Sequence, residues 1–85
     1  MPEISAFYGI IVSMFFSDHN PPHFHVKYQG YEAIVDIATG TIKGEMPQRA
    51  LSLVHEWMGQ HKEELMSNWK KMENMEPFDK IAPLE

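Results

Sequence analysis

The sequence predicts an α+β protein, a small antiparallel sheet of three to four strands followed by one long or broken helix packed on one face. Three observations predict it. Residues 1–44 are rich in Ile, Val, Phe and Tyr and are cut by glycine turns. Within them His23 to Ile37 alternates apolar and polar side chains at a period of two, as a half-buried hairpin does. Residues 47–73 then change to apolar spacings of three and four, the period of an amphipathic helix. With 85 residues the chain is a single domain, closed by an extended segment over 76–85.

Ile4 to Phe16 reads as one strand with apolar residues on both faces: Ile4, Tyr8, Ile10, Val12, Met14 and Phe16 on one, Phe7, Ile11 and Phe15 on the other. Apolarity on both sides suits a strand covered twice. With one strong helix available, the second cover is assigned to a homodimer partner. Gly9 marks a bulge or a close backbone approach. Asp18-His19-Asn20-Pro21-Pro22 is a stiff loop, because the prolines remove donors and constrain the residues before them.

His23 to Tyr28 is the next strand. Gln29-Gly30 turns it into Tyr31 to Ile37, with glycine supplying the positive φ of a two-residue hairpin turn. That turn fixes the register. Tyr28, Val26 and Phe24 fall opposite Tyr31, Ala33 and Val35 on the core face. Lys27, His25 and His23 fall opposite Glu32, Ile34 and Asp36 on the other. A second tight turn at Thr39-Gly40 leads to a short strand, Thr41 to Lys43, which puts Lys43 across from Asp36.

Gly44 to Pro47 ends the sheet, and Pro47 suits the first helical turn. Ala50, Val54, Trp57, His61, Leu65, Trp69 and Met72 then form one stripe. A straight helix over these residues is roughly 38 Å long at 1.5 Å per residue, which outruns a small sheet. The helix therefore breaks near Gly59-Gln60, or its far half packs on a partner. In the segment 76–85, Phe78, Ile81 and Leu84 are the anchors, on this subunit or a partner.

Composition narrows the function classes. The chain has no cysteine, which excludes disulfides, thiolate ligands and a cysteine nucleophile and fits a reducing compartment. The start, Met1-Pro2-Glu3-Ile4, lacks the basic region of a signal peptide, and no apolar run approaches ~18 residues. The expectation is a cytoplasmic protein with no membrane segment. Formal charge is −5, with 7 basic against 12 acidic residues, so general nucleic-acid binding is disfavoured and only a small local site is left open.

The stretch 17–25, Ser-Asp-His-Asn-Pro-Pro-His-Phe-His, holds three of the five histidines. His23 and His25 share a strand face, and His19 lies in the loop that feeds it. With Asp36 these make a candidate metal set (His19, His23, His25, Asp36) that fits a divalent ion such as zinc. Without metal, His23 and His25 form a candidate catalytic pair, one as general base and one as general acid. Asp18, Lys27, Lys43 and Arg49 are the supporting charges. The plainer reading is a loop held by Asx turns, or a recognition surface for another protein. A jelly-roll reading of His23-x-His25 fails on length, because that fold needs about eight strands. His61, in the apolar stripe, is a satisfied core histidine. His55 is solvated, and Trp57 and Trp69 are core anchors.

The strings Phe7-Tyr8-Gly9-Ile10, Asp18 to His25 and Gly30-Tyr31-Glu32-Ala33 resemble those of the domain of unknown function 4160 family. The likeness continues through Pro47-Gln48-Arg49-Ala50-Leu51, Glu56-Trp57, Asn68-Trp69 and Ile81-Ala82-Pro83-Leu84. The resemblance implies a small bacterial protein encoded beside another short protein, in an arrangement similar to a toxin–antitoxin pair. It implies the non-DNA-binding member of that pair, the toxin or an antitoxin-like partner, and supplies no catalytic residue.

Overall fold

A computed structural model describes residues 3–16 and 19–85. Five strands run in sequence order as an antiparallel meander: β1 (Glu3–Phe7), β2 (Ile10–Ser13), β3 (His23–Tyr28), β4 (Tyr31–Asp36) and β5 (Ile42–Gly44). One helix, α1 (Gln48–Glu73), follows. The class is α+β, with more strands than the sequence suggested.

The additional strand comes from the first apolar run, which folds back on itself. Tyr8 and Gly9 take φ values of 50° and 81°, and Phe7 pairs with Ile10 across them. Both central residues have positive φ, the signature of the tight turn that matches strand twist. Gly9 is thus a turn residue. The bulge lies earlier, where the register shifts between Glu3 and Ser5, and there consecutive residues Ile4 and Ser5 are both buried. The turn and the bulge bring Ile4, Phe7 and Ile10 to the buried side, while Ile11 stays exposed on the other.

The β3–β4 register is the one derived from the Gln29-Gly30 turn, from Tyr28↔Tyr31 to His23↔Asp36. The next connection differs. Asp36 N–H donates to the Thr41 carbonyl at 2.9 Å, and Gly40 N–H to the Asp36 carbonyl at 2.8 Å. A wider loop over 37–40 replaces the two-residue turn, so Lys43 pairs with Ile34 and not with Asp36. Gly44 is the close approach that ends β5. A Cβ there would stand 2.6 Å from the Glu32 carbonyl oxygen, and its φ is 116°.

α1 begins after Pro47, whose extended ψ of 147° places it at the cap and not inside the first turn. A straight helix of 26 residues would measure about 39 Å, longer than the 34 Å greatest extent of the molecule. The helix bends instead, with His61 in non-helical geometry (φ −127°, ψ 23°). Both halves bury residues on this chain: Ala50, Val54 and Trp57 before the bend, Leu65, Asn68, Trp69 and Met72 after it. Glu64 restarts the second half by accepting from His61 Nδ1 at 2.6 Å. His61 stays half-buried against the Trp57 ring.

Trp57 centres the core, 5.4 Å from the Phe7 ring and 5.8 Å from Phe24. Its indole N–H donates to the Ala82 carbonyl at 2.8 Å. Residues 76–85 lie back on this subunit. Ile81 and Leu84 are buried, Phe78 stacks on Phe16, and Ile81 N–H donates to the Ile4 carbonyl at 2.8 Å along the β1 edge. Buried Asn68 holds Asp79 through two bonds of 2.9 Å, donating to its carbonyl and accepting its N–H, while Lys71 pairs with the Asp79 carboxylate. Among the described residues no helix is long and apolar enough to cross a membrane.

Candidate functional site

α1 and the 76–85 segment pack on one face of the sheet, where Phe24, Val26, Ala33 and Val35 are buried. Alternation sends the intervening residues of β3 and β4 to the other face. There the pairing sets Ser13, His25, Ile34 and Lys43 in one row across four strands. His23 and Asp36 stand opposite each other one step further along. Ile11 and Ile34 are 38% and 37% exposed on this face.

The His23 and His25 ring centroids lie 5.3 Å apart. Phe15 meets His25 edge-on at 4.5 Å, and Trp69 meets His23 at 5.2 Å. His23 Nδ1 lies 2.8 Å from the Pro21 carbonyl oxygen. A carbonyl only accepts, so Nδ1 carries the proton and the lone pair sits on Nε2. The Pro-Pro loop thus sets the tautomer of His23. Trp69 Nε1 is buried with no hydrogen-bond partner among the described residues, which leaves the indole as a packing wall for the histidine.

Asp36 serves the loop it begins. One carboxylate oxygen accepts from Ala38 N–H at 2.9 Å and Thr39 N–H at 3.0 Å. The Thr39 backbone N–H does most to hold the carboxyl below its usual range, with smaller contributions from Ala38, the Thr39 hydroxyl and His23, against an opposing effect of burial. Asp36 is therefore an Asx anchor that also sets a negative charge beside His23.

Two hollows open on this face. One, about 430 Å³, is lined by His19, Asn20, His23, Asp36, Thr39 and Thr41 among others. The other, about 340 Å³, is lined by Ser13, Phe15, His25, Lys27 and Glu32 among others. Ile34 and Lys43 line both. Lys27 is engaged by Glu32 at 3.2 Å, so Lys43 is the cation shared between the hollows. Arg49 sits in the first turn of α1 and lines neither. Asp18 lies outside the described residues. Among those described, no three His, Cys, Asp or Glu side chains gather as a bound metal ion requires. A larger hollow of about 770 Å³ runs along the bend of α1, walled by that helix alone, from Gly59 to Lys70.

Sequence reasoning reached His19, His23, His25, Asp36, Lys27 and Lys43, and missed Phe15, Ile34, Thr39, Thr41 and Trp69. Ile34 was already named as the cross-strand partner of His25, and that register was the available signal. Trp69 had none, because it reaches His23 only through the bent half of the helix.

Fold and site together define a small α+β protein that covers one sheet face with a bent helix and leaves a histidine-bearing face open. The family model described as a domain of unknown function (DUF4160) matches residues 9–70, and the chain belongs to this family. The match spans the histidine loop, both hollows and Trp69. Comparison with curated proteins returns no match, and comparison with solved structures returns none.

Proposed function

We propose that this chain is the cytoplasmic toxin of a toxin–antitoxin-like pair and cleaves RNA by acid–base chemistry on its open sheet face. The observation that carries the reading is the His23–His25 pair with Lys43 lining the hollow beside each ring. His23 Nε2 takes the proton of a ribose 2′-hydroxyl, and that oxygen attacks the adjacent phosphorus. The bond from phosphorus to O5′ breaks as protonated His25 gives its proton to the leaving oxygen. The products are a 2′,3′-cyclic phosphate and a 5′-hydroxyl, and proton exchange with water resets both rings. The Lys43 ammonium faces the charge that builds on the non-bridging oxygens.

Expression of the chain alone should arrest growth, and the purified protein should leave cyclic phosphate ends on RNA. His23→Ala or His25→Ala should lower cleavage by about 100-fold or more, the range for loss of one acid or base. Arrest and cleavage that survive both changes would sink the catalytic reading. The rate should pass through a maximum with pH, since one ring must be neutral and the other protonated. Elemental analysis of untagged protein provides a separate arm. Near-stoichiometric zinc that is lost with His23→Ala/His25→Ala would replace acid–base chemistry with a metal centre.

A second reading is a non-enzymatic module whose open face seats a protein, either a neighbour-encoded partner or a second copy. The exposure of Ile11 and Ile34 beside the histidines favours it. It predicts no arrest, together with a stable complex or a homodimer by sedimentation that Ile34→Asp disrupts.

A further inference from the structure

We propose that the two hollows are adjoining nucleoside subsites separated by Lys43, and that the unit recognised is one dinucleotide step of single-stranded RNA. This rests on the RNA-cleavage reading and adds to it which substrate fits and how it lies.

The first support is arrangement. The hollows share a wall, Ile34 and Lys43. His25 lines the smaller, and His23 lines the larger together with His19. Two residues apart on one strand, the Cα atoms of His23 and His25 are separated by ~6.6–6.8 Å along it, the scale of one nucleotide step in an extended chain. A phosphodiester set on Lys43 at that shared wall lies between the two hollows, with its two nucleosides on either side.

The second support is size and charge. At about 340 and 430 Å³ each hollow lies at the low end of small-ligand pockets, ~300–1,000 Å³, and accepts a nucleoside without room for a paired duplex. A duplex groove would demand a basic face, whereas the chain carries a net charge of −5. One shared lysine suits one phosphate.

The third support is the difference between the walls. The smaller hollow has the aromatic Phe15 in its wall beside Ser13, Lys27 and Glu32, and an aromatic ring is a surface against which a base stacks irrespective of its identity. The larger one presents Asn20, Thr39 and Thr41, which donate and accept hydrogen bonds and so can read a base edge.

The test is binding of dinucleoside monophosphates that lack the attacking 2′-hydroxyl, measured by NMR titration beside mononucleotides and inorganic phosphate. The dinucleotides should bind at least tenfold more tightly than the mononucleotides. The affinity should fall only modestly with added salt, as screening of a single charge pair requires. Lys43→Ala should weaken binding at least tenfold and Lys43→Arg should restore most of it, with both folds checked by circular dichroism. Asn20→Ala should flatten base preference at one nucleotide and leave the other unchanged. Equal affinity for mono- and dinucleotides, or indifference to Lys43→Ala, overturns the proposal. Tight binding without cleavage of the matching ribonucleotide supports the subsites and overturns hydrolysis. Cleavage without dinucleotide preference does the reverse.

Discussion

Along β3, neighbouring residues meet opposite environments. Phe24 is fully buried under Trp57, while His25, next in the chain, lies in the wall of an open hollow. The same division runs through β4, between buried Val35 and exposed Ile34. One face holds the fold together through area removed from water. The other holds His25 and Lys43, while His23, at the end of β3, also packs on buried Trp69 of α1. A single-layer sheet with one covered face thus separates structural from chemical work at every second residue.

The sharpest way to break this comparison is to truncate adjacent side chains. Phe24→Ala should cost about 3–5 kcal/mol by denaturant unfolding. His25→Ala should cost about 1 kcal/mol or less and still abolish cleavage. If the two destabilise equally, the open face is part of the core and the division is wrong.

A smaller effect is expected at Asn68, which lies under the covered face and ties Asp79 down by two bonds. Asn68→Ala should cost about 1–2 kcal/mol, because the N–H and carbonyl of Asp79 lose a buried side-chain partner. It should also speed proteolysis within 76–85.

The smallest effect sharpens the comparison on the open face. The carboxyl of Asp36 is held below its usual range in the folded state. Its charge therefore adds stability at neutral pH, and that contribution is lost as pH falls through the lowered value. Wild type should lose stability relative to Asp36→Asn between neutrality and about pH 3, measured as paired urea midpoints. Parallel midpoints across that range would show that the Asx bonds do not depend on charge.

What was legible in the sequence follows the same division. The β3–β4 register was readable because one face is apolar and the other polar, so a slip by one residue carries a visible penalty. The first apolar run gave no such contrast. Its turn at Tyr8-Gly9 lacks the Asn or Asp that usually announces positive φ, and the bulge at Ile4 breaks its alternation. The loop after Asp36 was misjudged because a two-residue turn was assumed, although an aspartate followed by Ala-Thr-Thr-Gly is what an Asx anchor looks like. The bend in α1 was signalled by length but placed two residues early. The restart is marked by Glu64, three residues after His61, whose side chain it holds at 2.6 Å. The histidine loop stood out because its residues are contiguous. Its packing partners, Trp69 and Phe15, depend on tertiary geometry that no spacing encodes.

The 76–85 segment orders events in time as well as space. It is synthesised after everything it secures: the Ile4 carbonyl on the β1 edge and the indole N–H of Trp57 both wait for it. A chain whose 76–85 segment has not yet docked has the residues of all five strands and the helix. It still shows an unpaired outer strand and an unanswered donor at the centre of its core. In that interval the sheet can extend onto any other strand it meets. Docking of Ile81 closes that opening, so the 76–85 segment decides that β1 remains the end of the sheet.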